Sequence, residues 1–272
     1  MNSNFFKKHK SLICCILAFF LPVILMFIIS KAMGFYPFGR RSALVADMRY
    51  QFIDYAAYLK SVVFSDNDLL YTFSKTMAGF SFYYLADPFL LLLLFVPNKY
   101  LPAGILMLII LIMGLSSLNF EIMLNRIFGI RWASVIFATA YAFIGYFTAY
   151  FNFTIYFNNI MLLPLIILGL YMLITKERKN YLYIISLFFS VLTSYYMGYM
   201  TCMFTMIFTL YLFIMRGYFR DIKAHLKTLL IYIGSSALAV MMSFASLLIS
   251  LLSLRDQKIG DAPLLSRLSL SI

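Results

Sequence analysis

Five long stretches of this chain contain no Asp, Glu, Lys or Arg: 11–30, 100–120, 132–175, 180–215 and 228–254. A helix crossing bilayer hydrocarbon needs about 20 mostly apolar residues, so the first, second and fifth stretches each hold one crossing. The 44 residues of 132–175 hold two, with Asn152, Thr154, Asn158 and Asn159 as the polar point where the chain turns at the far surface. The 36 residues of 180–215 are ambiguous by length, and their flanks decide. A single crossing would separate Lys176, Arg178 and Lys179 from Arg216, Arg220, Lys223 and Lys227, whereas two short crossings turning near 195–198 keep both clusters on one side. Seven crossings result.

Starting with Lys7, Lys8 and Lys10 in the cytoplasm, the inner segments collect 12 of the 22 Lys and Arg in short pieces, as inner loops do. The other ten fall in or beside one long outer loop, which is exempt from the charge rule, and in the tail. With 64% apolar and 12% charged residues, against about 45–50% and about 25% in soluble domains, a water-soluble fold is excluded. The net charge of +12 is spread over clusters between apolar runs and forms no nucleic-acid-binding stripe. The expected architecture is an all-α, polytopic transmembrane helical bundle of about seven spans. It sits in the cell membrane with a cytoplasmic N-terminus, as a membrane domain over 1–254, an outer loop over 34–99 and a short outer tail over 255–272. The first run competes with a cleavable signal peptide through Ser30 and Ala32, but it is longer than the roughly 7–15 residues of a signal core.

Neither the cysteines nor the histidines are spaced as metal ligands. Cys14, Cys15 and Cys202 lie inside apolar runs as small packed side chains, and His9 and His225 fall in basic clusters. Glu121 is the ionisable residue within a span, and Arg126, one turn beyond, is its expected partner.

The outer loop holds five of the ten acidic residues. Within it, Val45, Met48, Phe52, Tyr55 and Leu59 recur at steps of three and four. They predict an amphipathic interfacial helix over 45–60, apolar side in the headgroup region, with Asp47, Gln51, Asp54 and Tyr58 on an adjoining polar stripe. Asp87-Pro88 opens an apolar run of nine residues, 89–97, which is too short to cross and reads as an interfacial or re-entrant segment. Aromatic residues gather here and at the 146–156 turn, fitting equally a headgroup-level belt and a surface for stacking sugars.

Tyr36-Pro37-Phe38-Gly39, Ala46-Asp47-Met48 with Gln51, Tyr71-Thr72-Phe73-Ser74, Tyr83-Tyr84-Leu85-Ala86-Asp87-Pro88-Phe89, Leu163-Pro164-Leu165 and Tyr195-Tyr196-Met197-Gly198-Tyr199-Met200 follow one another along the chain. Together they resemble the bacterial YfhO membrane proteins. That resemblance implies a polytopic GT-C-like glycosyltransferase using a polyprenyl-phosphate sugar donor, an acceptor such as the lipoteichoic acid of Gram-positive cell surfaces, and a key acid in the first outer loop, where Asp47 stands. The sequence departs from the pattern at Tyr156-Phe157-Asn158-Asn159, where a second outer-loop Asp is expected. It also covers about the N-terminal third of a typical member, so an inactive truncated fragment is one alternative; a lipid-linked substrate transporter or flippase, drawing on Asn119, Asn125, Gly114 and Gly145, is another.

A sugar phosphate departs as a stable anion, so transfer needs one base for the acceptor hydroxyl and no acid on the leaving side. That base is assigned to Asp47. Asp54, Gln51 and Asp87 are its expected supports, the carboxylates being able to help hold a divalent cation through hard oxygens. Arg40, Arg41 and Arg49 are placed to grip the lipid phosphate in a fork, or to attract anionic headgroups.

Overall fold

A computed structural model describes residues 2–65, 86–175 and 180–250, with the side chains of 2–8 and of Ile222 left aside. The motifs at 71–74 and 83–85 and the 255–272 tail lie outside the described residues. Among those described, the regular elements are helices: α1 (Asn2–Ala32), a π-helical turn (Met48–Phe52) running into α2 (Ile53–Phe64), a 3-10 helix (Pro88–Phe95), α3 (Leu101–Phe128), α4 (Trp132–Ala142), α5 (Gly145–Ala149), α6 (Phe157–Ile174), α7 (Tyr181–Thr193), α8 (Tyr195–Met215) and α9 (Ile222–Met242).

Among the described residues six helical segments are long and apolar enough to cross a membrane: His9–Ala32, Asn98–Phe128, Trp132–Ala149, Thr154–Ile174, Tyr195–Met215 and Lys223–Met242. The seventh expected crossing is shorter. α7 has 13 residues, about 20 Å at 1.5 Å per residue, against about 30 Å of hydrocarbon. It stops because Ser194 is extended (φ −159°, ψ 110°) and its Oγ accepts from the Met197 N–H at 3.3 Å, capping α8. The turn is therefore this one residue, and 195–198 form the first turn of α8. Gly198 follows from the same geometry, since a Cβ there would lie 2.7 Å from the Val191 Cα.

Two packed cores organise the bundle. In the first, Met48, Phe52, Tyr55 and Leu59 of the π turn and α2 meet Leu90 and Leu93 of the 3-10 helix, Ile105 and Ile109 of α3, and Phe147 and Phe157. The 45–60 segment is thus helical from 48, but its apolar side packs on protein instead of entering the headgroup region. Tyr58, expected on the polar stripe, is buried, and Val45 is exposed. The second core joins Ile166 and Leu170 of α6 to Tyr183 and Leu187 of α7, Leu212 of α8 and Tyr232 of α9. Hydroxyls stitch α9 and the residues after it to α7: Tyr183 pairs with Ser236 at 2.8 Å, and Ser243 and Ser246 donate to the Phe188 and Leu192 carbonyls.

Pro164 stands inside α6 and has no N–H to give the Ile160 carbonyl one turn earlier. In lipid that carbonyl needs another donor. Tyr141 of α4 supplies one, its hydroxyl donating at 2.7 Å, and Asn119 of α3 donates to the neighbouring Met161 carbonyl at 2.8 Å. The break in α6 thereby fixes two other spans against it.

α6 and α7 approach closely at Gly169, where a Cβ would stand 2.5 Å from the Tyr183 backbone N. Gly169→Ala is expected to lower the apparent melting temperature of detergent-purified protein by the equivalent of about 1–3 kcal/mol. Gly234→Ala, where a Cβ meets nothing within 4 Å, leaves it unchanged or raises it. Tyr141→Phe is expected to cost about 1–2 kcal/mol in the same measurement, by stranding the Ile160 carbonyl.

Candidate functional site

The segment leading to Asp47 starts from a closed loop. Tyr36 N donates to the Arg41 carbonyl at 2.8 Å and Arg41 N to the Gly34 carbonyl at 2.9 Å. Gly34 has φ +68°, and a Cβ on Gly39 would collide with the Gly34 carbonyl oxygen at 2.4 Å. The Tyr36-Pro37-Phe38-Gly39 motif is therefore a backbone device, and Arg40 and Arg41 stand exposed at its exit.

Two unusual backbone states flank Asp47. Ala46 has φ +43°, a left-handed conformation costing a residue with a Cβ about 1 kcal/mol or more. Directly after Asp47, the Ile53 N–H donates to the Met48 carbonyl, closing a π turn, a feature frequent at functional sites. Asp47 is half-buried and lines a cavity of about 120 Å³ with Phe52 and Asn152, Phe153, Thr154, Ile155 and Tyr156. It makes no hydrogen bond or ion pair among the described residues. Rings continue from this wall, Phe153 stacking on Tyr156 at 6.2 Å and Tyr156 lying 6.1 Å from Tyr196.

The structure gathers some of the predicted residues and separates others. Gln51 is on the π turn and Asp54 in the first turn of α2, both exposed and both engaged by neighbours. Arg49 is exposed, its guanidinium 5.8 Å from the Tyr50 ring. Asp87 belongs to another corner: its Oδ1 accepts from the Phe89 N–H at 2.9 Å, capping the 3-10 helix, and it faces Asn158. Burial raises its carboxyl from an ordinary 3.8 to about 6, a rise that the Phe89 N–H and the Asn158 amide only partly oppose. Among the described residues no three His, Cys, Asp or Glu side chains gather as a metal site.

In the 3-10 helix Leu90 and Leu93 are buried and Leu91, Leu92 and Phe95 exposed. Lys60 of α2 pins its far end, donating to the Val96 carbonyl and to Asn98 Oδ1, the latter at 3.0 Å. Asn158 and Asn159, expected at a surface turn, are buried in the first turn of α6. The Asn159 amide donates to Ser190 Oγ at 2.8 Å, whereas both amide atoms of Asn158 lack a hydrogen-bond partner within bonding geometry. An Asn-Asn pair opening an apolar, Pro-containing helix was the available signal for this burial.

At the other end of the bundle, Glu121 is fully buried and accepts from Ser134 of α4 at 2.7 Å; Arg126 is exposed. Features invoked for a transport path are partly absorbed by packing. Gly114 faces Val23 and Phe19 of α1, and Asn119 bonds α6, while the third span breaks at 143–144 between α4 and α5.

An all-α bundle with six membrane-length apolar helices defines a multi-pass integral membrane protein. Residues 18–266 match the family described as "Bacterial membrane protein YfhO", and the chain belongs to that family. Comparisons with curated proteins and with solved structures returned no match.

The buried Asp87 carboxyl makes stability pH-dependent. Its folded pKa lies above the unfolded one, so its favourable contribution is complete below about 3.8 and is lost as pH rises through about 6. Asp87→Asn keeps a capping oxygen and removes the titration. The variant is expected to flatten the melting temperature between pH 4 and 7.5 and to stabilise at pH 7.5 by on the order of 2–3 kcal/mol.

Proposed function

We propose that this chain carries the reacting face of a GT-C-like membrane glycosyltransferase, with its N-terminus cytoplasmic and Asp47 on the outer side. The donor in this reading is a polyprenyl-phosphate sugar and the acceptor a hydroxyl of a cell-surface polymer such as lipoteichoic acid. Asp47 takes the proton from that hydroxyl as its oxygen bonds to the anomeric carbon, and the bond to the lipid phosphate breaks with the electron pair leaving on phosphate. Arg40, Arg41 and Arg49 meet the departing phosphate. Asp54 and Gln51, close to Asp47 in sequence, support the base, and Asp87 acts at one remove through the 152–158 segment, whose Asn158 it faces. Phe153 and Tyr156 offer rings against which a sugar can stack.

The observation carrying this reading is an uncommitted carboxylate at a small cavity, displayed by a left-handed residue before it and a π turn after it. Asp47→Asn is expected to reduce sugar attachment to the surface polymer by about 10²–10⁴-fold, the usual worth of a general base, with the membrane level of the protein unchanged. Undiminished attachment refutes the assignment. Cysteine at position 47, labelled in intact cells by a membrane-impermeant reagent, tests the sidedness separately.

A further inference from the structure

A groove opens beside the first turns of α3. Its volume is about 370 Å³, within the roughly 300–1,000 Å³ typical of ligand sites. Tyr100, Gly104, Leu108 and Leu111 line it along one face of the span, and Leu92 and Val96 line it from the 3-10 helix and its end. From Tyr100 to Leu111 a helix rises about 16 Å at 1.5 Å per residue, close to the depth of one leaflet, which is half of about 30 Å of hydrocarbon. Leu92 also walls a second cavity, of about 410 Å³, with Phe89, Met161 and Leu162. Two spaces with apolar walls therefore meet at one leucine.

One end of the groove is cationic. Lys60 of α2 donates to the Val96 carbonyl and to Asn98 Oδ1, and Lys99 Nζ lies 5.6 Å from the centre of the Tyr100 ring. Both lysines are thus held on residues at the groove's mouth. An ammonium has three N–H donors, and the two contacts of Lys60 leave one for a ligand. The other end, at Leu108 and Leu111, lies within the span Asn98–Phe128. A cationic mouth on an apolar groove one leaflet deep complements an anionic head with chains of leaflet length. A long isoprenoid chain would overrun the groove, whereas two acyl chains fill both spaces that meet at Leu92.

We infer that this groove binds an anionic diacyl phospholipid, with its phosphate on Lys60 and Lys99, one chain along Gly104 to Leu111 and the other beyond Leu92. The site uses none of the residues assigned to the donor at Asp47, and its occupancy requires no transfer chemistry. Lipid labelling of Asp47→Asn protein is therefore expected to match that of the unaltered chain, and either reading can fail alone.

The full chain in lipid vesicles provides the test, with phosphatidylglycerol and phosphatidylcholine that carry the same diazirine-bearing acyl chains as probes. Photolysis and peptide mapping are expected to place phosphatidylglycerol on 92–96 and 103–111, at least about tenfold above phosphatidylcholine at equal mole fraction, each lysine beside an anionic head being worth about fivefold. Lys99 is exposed, so Lys99→Gln leaves the packing alone and should cut phosphatidylglycerol labelling about fivefold. Ala103 also lines the groove and is partly exposed. Ala103→Trp should remove the labelling of 92–96, and the Lys99 variant keeps the test decisive if this one disturbs folding. Equal labelling by the two phospholipids would make the groove an unselective apolar surface, and full displacement by equimolar polyprenyl phosphate would assign it to the isoprenoid. An unlabelled groove in the unaltered protein would mean that another segment of the chain covers it. Each of these three results overturns the proposal.

Discussion

Hydrocarbon offers no hydrogen-bond partner, and that single deficit dictates how this bundle is assembled. The sharpest instance is Pro164. Its missing N–H frees a carbonyl in the first turn of α6, and the bundle answers with a tyrosine from α4 and an asparagine from α3. Three spans are thereby held in one relation by a defect in one of them. The same accounting explains the hydroxyl-rich seam that α7 makes with α9 and the residues after it, where Ser236, Ser243 and Ser246 find partners on the shorter helix.

The segments between the spans inherit this rigid frame. α2 and the 3-10 helix share a core with α3 and with the first turn of α6, so Asp47 and Asn158 are displayed by elements packed on spans. Asp47 and Asp87 then differ in kind. Among the described residues one carboxylate has no partner, in a small aromatic-walled cavity, and the other is buried, caps a helix and is pushed towards its neutral form.

Much of the fold was legible because charge in a membrane chain is spatially explicit. Gaps between basic clusters mark the long spans, and the steps of three and four from Met48 to Leu59 mark a helix. Periodicity could not say what the apolar side of that helix meets, because headgroups and protein make the same demand for apolar residues. This is why Tyr58 reads as polar stripe and lies buried. Length between charges could not reveal that the 36-residue stretch divides unequally at Ser194, since a single capping serine leaves little trace among apolar residues. The pairing of Glu121 with Ser134 was hidden for a different reason: a charged neighbour one turn away is visible in sequence, whereas a hydroxyl on the next helix is not. At the candidate site the position of Asp47 was readable, but the strain at Ala46, the π turn and the unpaired Asn158 are properties of backbone geometry and burial.

The one-residue junction at Ser194 also sets a mechanical limit. A single residue spans at most about 3.6 Å, whereas sliding one helix past another by a full turn takes about 5.4 Å. Neither arm of the α7–α8 hairpin has the slack to ratchet along the other, and the Gly198–Val191 approach removes room for rotation. This half of the bundle is a fixed mast, and any working stroke must be taken up by joints elsewhere, such as the break between α4 and α5.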